Sequence, residues 1–143
     1  MIKIGILGDI GSGKSHVAKN FGFPIFNADA EVAKLYRENK KIFIKLKKVL
    51  PKYIHSFPIN KNEICDAILS NNSNLKKIIT IVHLEIRKKM KIFLKKNMKQ
   101  KLVILDIPLL LENKISNKND ILVFVQSKKI DILKRLKKRK NFN

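Results

Sequence analysis

Near its amino terminus the chain carries the stretch Gly8-Asp9-Ile10-Gly11-Ser12-Gly13-Lys14-Ser15, which matches the pattern G-x-x-x-x-G-K-S without a gap. Glycines let such a loop turn tightly and present its backbone N–H groups to phosphate oxygens. The lysine reaches the β- and γ-phosphates of a nucleotide, and the serine hydroxyl coordinates Mg²⁺. This phosphate-binding loop (P-loop) predicts that the protein binds ATP or GTP.

The residues on both sides of the P-loop favour this interpretation over a chance glycine turn. Residues 2–7 form a short, β-branched apolar run that is typical of a buried strand. Residues 14–21 follow helical spacing, so the loop opens a helix whose positive dipole end adds to the attraction for phosphate. Strand, loop and helix together are the context that the motif requires.

Extended and helical stretches alternate along the rest of the chain. Strands are predicted at residues 23–27, 102–106 and 121–125. Helices are predicted at residues 28–38, 42–50, 63–69, 75–98 and 131–140. This alternation predicts an α/β fold with a parallel sheet, the three-layer α/β/α arrangement of P-loop NTPases. We interpret residues 1–143 as one domain and residues 39–98 as a helical insertion that binds the acceptor substrate.

The chain is strongly basic, with 32 Lys and Arg against 11 Asp and Glu and a formal net charge of +21. A nucleic-acid-binding face would explain this charge. However, residues that read phosphate and guanine tend to be arginines, and only four of the basic residues here are arginines. We therefore favour a general enrichment in Lys, Asn and Ile, and we expect no nucleic-acid partner. The hydrophobic fraction of 45% excludes wholesale disorder.

Cysteine content and hydropathy give the expected compartment. Cys65 is the single cysteine, which excludes a disulfide framework within the chain and fits a reducing compartment. No apolar run approaches the ~20 residues that span a bilayer. We expect a cytoplasmic, monomeric protein without a membrane partner.

The P-loop alone does not distinguish a kinase from a GTPase or an ATPase, so the acceptor must be read from other residues. Asp29 follows the second predicted strand, where open α/β sheets bind ligands, and its carboxylate can accept the proton of an attacking hydroxyl. The same residue could instead cap the following helix.

His83 and Arg87 lie four apart on one helix and could together hold a phosphate-bearing substrate, although a solvated surface has the same spacing. Asp106 ends the third strand, a usual place for an acidic residue near Mg²⁺.

Taken together, these motifs resemble the dephospho-CoA kinase family, whose members use ATP to phosphorylate the ribose 3′-hydroxyl of dephospho-CoA. The similarity runs along the whole chain in order. It includes the P-loop, Ala28-Asp29, His83 to Arg87, Asp106-Ile107-Pro108-Leu109-Leu110 with Glu112, and Leu133, Arg135 and Arg139. The combination of Pro-Leu-Leu-x-Glu, Ala-Asp and His-x-x-x-Arg is far more specific than the P-loop by itself.

The resemblance implies a role for each of the matching residues. Asp29 is implied as the catalytic base, and Lys14 and Arg139 as the groups that stabilise the transferring phosphoryl group, with Arg139 at the start of a mobile lid. The implied ATP-binding residues are Gly8, Gly11, Ser12, Gly13, Lys14, Ser15 and His16. The implied dephospho-CoA-binding residues are Asp29, His83, Arg87, Pro108, Leu109 and Glu112. Ser15 and Asp106 are the implied Mg²⁺ ligands.

The chain also departs from the family pattern. Leu7-Gly8-Asp9 stands where the family usually has Thr-Gly-Gly, and His16 stands where it has Thr. Asn27 replaces a usual Asp, and Leu84 replaces a usual Pro. Family members continue well past the position of Arg139, so we expect that the chain is truncated at its C-terminus.

Two other functions fit the P-loop. A different small-molecule kinase, such as a nucleoside monophosphate kinase, would transfer the phosphoryl group to a phosphate, usually with more arginines around the acceptor than this chain offers. A non-catalytic or nucleic-acid-linked nucleotide-binding module would bind RNA or DNA without turning over dephospho-CoA.

Overall fold

A four-stranded parallel sheet follows from the alternating pattern, as predicted. The computed structural model describes residues 1–107 and 120–139 of the chain. Its strands are β1 (Ile2–Leu7), β2 (Ile25–Asn27), β3 (Leu102–Asp106) and β4 (Ile121–Phe124). Its helices are α1 (Lys14–Asn20), α2 (Ala28–Glu38), α3 (Lys40–Val49), α4 (Lys61–Ser70), α5 (Asn72–Lys96) and α6 (Lys129–Lys137). The predicted α/β fold is therefore confirmed.

The strand order is β2-β3-β1-β4, and every neighbouring pair is parallel. Residue Ile4 of β1 lies opposite Ile104 of β3 on one side and Ile121 of β4 on the other. At the carboxyl ends, Asp106 of β3 lies opposite Asn27 of β2 and Ile6 of β1. The register therefore brings the polar residues that end β2 and β3 side by side.

Helix α1 covers the middle of this sheet. Alternate residues of β1, Ile4 and Ile6, are buried with Ala18 of α1 and Ile104 of β3 in one apolar cluster. Partly buried side chains from the neighbouring strands complete the cluster, among them Ile25 and Val123. Because α1 begins at the P-loop, this packing fixes the start of the helix relative to the ends of β1 and β3.

The chain divides into two compact units. The first contains residues 1–28 and 93–143, and with them the whole sheet, α1 and α6. The second is helical and contains residues 29–92, which overlap the predicted insertion at residues 39–98. Its buried side chains recur at helical spacing, for example Ile78, Val82 and Ile86 on α5.

Four helices begin two or three residues before their predicted starts, and at three of these starts an Asn side chain accepts a backbone hydrogen bond. Asn60 accepts one from the Asn62 amide, and α4 begins at Lys61 instead of residue 63. Asn39 accepts a hydrogen bond from the Ile42 amide and starts α3 two residues early. Asn71 accepts from the Ser73 amide at 2.9 Å, so α5 begins at Asn72 instead of residue 75. Helix α6 likewise begins at Lys129, before the predicted residue 131.

Among residues 1–107 and 120–139, none of the helices has both the length and the apolarity needed to cross a bilayer.

Candidate active site

The P-loop joins β1 to α1 through glycines in the left-handed region of backbone space. Gly11 has φ 82° and Gly13, which caps α1, has φ 92°, conformations that L side chains rarely adopt. The loop closes on itself where the Ser12 amide donates to the Asp9 carbonyl at 3.0 Å. The Ser12 side chain is buried, and its Oγ finds no hydrogen-bond partner within the part of the chain that the structure describes. A buried hydroxyl of this kind is available to a ligand held in the loop.

Three residues with implied roles in ATP binding lie in the first turn of α1. Lys14 is half-buried, whereas Ser15 and His16 are exposed. The first amides of a helix lack partners within the helix, so this turn offers backbone donors as well as the Lys14 ammonium to an anion.

The Ser15 hydroxyl and the Asp106 carboxylate form the central polar pair of this site. Ser15 Oγ donates to Asp106 Oδ2 at 2.9 Å, and Asn27 Nδ2 donates to the same oxygen at 3.1 Å. The Asp106 side chain is buried at the end of β3. Strand register explains the contact with Asn27, since the two residues lie opposite each other in the sheet.

This donor set suits a hard divalent cation that keeps several other ligands. A hydroxyl and a carboxylate oxygen are both ligands that Mg²⁺ accepts, and Mg²⁺ is usually held by one or two protein groups together with water and phosphate. Among the described residues no cluster of three or more His, Cys, Asp or Glu could form an all-protein metal cage. The Ser15–Asp106 pair therefore fits an ion that arrives with a nucleotide.

A profile of the dephospho-CoA kinase family (CoaE) matches residues 2–143 of the chain. The chain belongs to this family. It is 34% identical over 141 residues to the dephospho-CoA kinase of Wolbachia sp. subsp. Brugia malayi, and the match covers 95% of this chain and 72% of that relative. A dephospho-CoA kinase of Thermus thermophilus is 36% identical over 114 residues, which cover 78% of this chain and 54% of that relative.

Solved structures share the fold of this chain. The crystal structure of TT1252 from Thermus thermophilus aligns with a TM-score of 0.76 and 29% identity, covering 99% of this chain and 74% of that one. The dephospho-CoA kinase from Campylobacter jejuni, at 21% identity, has the same fold with a TM-score of 0.68. The alignment covers 100% of this chain and 75% of that one.

Three of the six residues with implied roles toward dephospho-CoA belong to the second unit. Asp29 is exposed in the first turn of α2, inside the helix and not at its cap position, so the alternative role as a helix cap was wrong. His83 and Arg87 are half-buried one turn apart on α5. Pro108, Leu109 and Glu112 lie outside the described residues.

Two arginines of the first unit lie on or just after α6, and sequence reasoning missed the contacts of one of them. Arg135 of α6 donates from Nη1 to the carbonyls of Gly11 and Ser12, each at 3.1 Å, and to Ser127 Oγ at 3.0 Å. Ser127 Oγ in turn donates to the Ser12 carbonyl at 2.7 Å. Arg139 is exposed just after α6. The sequence offered one signal for Arg135, its place one helical turn before Arg139 in the family pattern.

Proposed function

We propose that this chain transfers the γ-phosphoryl group of ATP to the ribose 3′-hydroxyl of dephospho-CoA, which gives CoA and ADP. Its membership of the dephospho-CoA kinase family supports the acceptor. The observation that carries the phosphoryl-transfer chemistry is the 2.9 Å contact between Ser15 Oγ and Asp106 Oδ2 beside the P-loop. A P-loop with this pair has the two protein oxygens that a nucleotide-bound Mg²⁺ requires.

In this mechanism the chain binds the triphosphate and neutralises its charge. The P-loop amides and the Lys14 ammonium would contact the β- and γ-phosphate oxygens, where negative charge moves during transfer. Ser15 and Asp106 would hold Mg²⁺, which supplies further charge neutralisation to the phosphates when it is bound. Arg139 would contact the transferring group from the predicted lid.

The bond changes are those of an in-line displacement. The 3′-oxygen of the acceptor forms a bond to the γ-phosphorus as the bond from that phosphorus to the β–γ bridging oxygen breaks. Asp29 would orient the 3′-hydroxyl and accept its proton, a role compatible with its exposed position on α2. His83 and Arg87 would bind phosphate groups of dephospho-CoA, and we retain Pro108, Leu109 and Glu112 as proposed contacts with the same substrate.

The test is direct. The purified chain is incubated with ATP, Mg²⁺ and dephospho-CoA, and the products are identified by mass spectrometry. We expect CoA and ADP in equal amounts. Parallel reactions contain a nucleoside monophosphate in place of dephospho-CoA. Product in those reactions, with no CoA formed from dephospho-CoA, would favour a nucleoside monophosphate kinase and overturn the proposal.

We also propose that the reaction takes place in the cytoplasm by a monomer that needs neither nucleic acid nor membrane. The single cysteine, Cys65, is exposed and unpaired as a thiol, which suits a reducing compartment.

A further inference from the structure

The outer side of the P-loop is covered by the segment that follows β4. Ser127 and Arg135, which lie eight residues apart, both contact the loop through hydrogen bonds. A single guanidinium nitrogen of Arg135 reaches the carbonyls of two successive loop residues, Gly11 and Ser12. The Ser127 hydroxyl bridges Arg135 and the Ser12 carbonyl, so the three groups form a closed set of hydrogen bonds.

Apolar packing holds α6 against the same residues. A Cβ atom on Gly11 would lie 3.2 Å from Leu136 Cδ2 and 3.3 Å from Ile132 Cγ2, which leaves little room for a side chain. A Cβ atom on Gly13 would lie 3.4 Å from Arg135 Nη1. Glycine at position 11 therefore serves both the left-handed backbone and the close approach of α6, whereas at position 13 only the left-handed backbone calls for it.

These contacts matter because of how a P-loop binds phosphate. Its amides must face the phosphate oxygens, so the carbonyls of the same peptides face the other way and need donors there. Arg135 supplies a donor to the Gly11 and Ser12 carbonyls, and Ser127 supplies a second one to Ser12. The amide in the Gly11 peptide is that of Ser12, which donates to the Asp9 carbonyl, so the amide directed at phosphate by these contacts is that of Gly13, in the Ser12 peptide. Without them, the peptide plane between Ser12 and Gly13 can rotate, and a rotation that turns its carbonyl oxygen toward the nucleotide replaces attraction with repulsion.

We propose that Arg135, with Ser127 as its partner, is a positioning residue that keeps the Gly13 amide of the P-loop directed at the triphosphate. This inference rests on the proposed function, because it assumes that the loop binds ATP. It assigns Arg135 an effect on nucleotide affinity that is exerted through the loop backbone. An arginine that served only to attach α6 would affect stability and leave the affinity of the folded protein unchanged.

The test measures nucleotide binding, which does not depend on the acceptor. The dissociation constant of MgATP is determined by titration calorimetry for the wild-type chain and for Arg135→Met, below the melting temperature of both. We expect the variant to bind about tenfold more weakly, as for the loss of hydrogen bonds from a charged donor. Lys134→Met, which removes the same charge from an exposed neighbour on α6, should bind like the wild type.

Inorganic tripolyphosphate separates an effect on the loop from a contact with the base or ribose. If Arg135 acts through the loop, its loss lowers the affinity for Mg-tripolyphosphate and for MgATP by the same factor. Ser127→Ala should lower both affinities by a smaller factor, and Arg135→Lys should retain part of the affinity that Arg135→Met loses. These two milder variants also provide the test if Arg135→Met fails to fold.

Two results would overturn the inference. One is a folded Arg135→Met variant that binds MgATP as tightly as the wild type. If Arg135→Met fails to fold, the equivalent result is wild-type affinity for MgATP in both Ser127→Ala and Arg135→Lys. The other is a loss confined to ATP with tripolyphosphate unaffected. A wild-type chain that binds MgATP but forms no CoA would contradict the proposed function alone, since the affinity comparison would still stand.

Discussion

Ser15 Oγ and Asp106 Oδ2 lie 2.9 Å apart although 91 residues separate them in the chain. Ser15 follows the P-loop lysine in the first turn of α1, and Asp106 is the last residue of β3. The parallel pairing of β1 with β3 places the end of β3 beside the P-loop, which follows β1. A sequence motif and a strand end thus combine into one pair of oxygen ligands. The pair links the fold directly to the proposed chemistry, and it can be tested by removing its charge.

We expect Asp106→Asn to raise the Mg²⁺ concentration needed for half-maximal CoA formation by at least about tenfold, because the amide retains the shape but not the charge of the ligand. The measurement is a Mg²⁺ titration of activity at saturating ATP. Asp66→Asn, which neutralises an exposed carboxylate on α4, is the matched control. An unchanged Mg²⁺ requirement in Asp106→Asn would remove this residue from the metal site.

Asn27 gives a second test of the same site. Its Nδ2 donates to Asp106 Oδ2 at 3.1 Å, so Asn27→Asp would place two carboxylates in contact. We expect the free energy of unfolding to fall by about 1–2 kcal/mol at pH 8, to recover at pH 5 as one carboxyl is protonated, and to recover also with added Mg²⁺. Urea unfolding at both pH values measures this. A pH-independent loss would point to a different cause, such as disturbed packing.

The P-loop and the strand ends could be predicted from the sequence because their signals are local. A glycine motif, an apolar run before it and a carboxylate at the end of β3 are each visible within a few residues. Strand order was not predictable in this way, since alternation alone does not say that β3 lies between β2 and β1. The contact of Asn27 with Asp106 depends on that order.

The contacts of Arg135 escaped prediction for the same reason. They join residues 123 and 124 positions apart and use backbone carbonyls, which carry no residue-type signal. Helix starts were displaced by two or three residues where Asn39 and Asn71 accept backbone hydrogen bonds, because apolar spacing marks the packed face of a helix and not its first turn.

The sheet itself supplies a matched pair of stability tests. Ile104 and Ile121 both lie opposite Ile4, but Ile104 is 0% exposed and Ile121 is 48% exposed. We expect Ile104→Ala to lower the free energy of unfolding by about 2–5 kcal/mol, through lost burial and the cavity left behind. Ile121→Ala should cost far less. Equal losses in urea unfolding would contradict the packing described for β3 and β4.

The hydroxyl of Tyr36 should make the free energy of unfolding depend on pH. Burial raises the pKa of its hydroxyl from 10.0 to about 12, and the charge of an ionised Cys65 thiol adds to the rise. Because the folded pKa lies above the unfolded one, this contribution to stability is complete below pH 10 and is lost as the pH rises toward 12. Between pH 10 and pH 12 we expect the free energy of unfolding of Tyr36→Phe to fall by about 1–2 kcal/mol less than that of the wild type, as measured by urea unfolding. Both proteins contain the same lysines, so lysine titration changes their stability equally. Parallel plots of the free energy of unfolding against pH would therefore contradict the raised pKa of Tyr36.

Asp29 offers the test of the proposed base. Asp29→Asn keeps the size of the side chain but cannot accept the proton of the 3′-hydroxyl, so we expect kcat for CoA formation to fall by about a hundredfold or more with the KM for ATP unchanged. Glu31→Gln is the control, because it neutralises the other acid in the first turn of α2 at the cost of an ion pair with Lys89. If Asp29→Asn kept a kcat close to that of the wild type, proton acceptance would have to be assigned to another group or to water. A fall in kcat that appeared equally in both variants would indicate a disturbed α2 instead of a lost base.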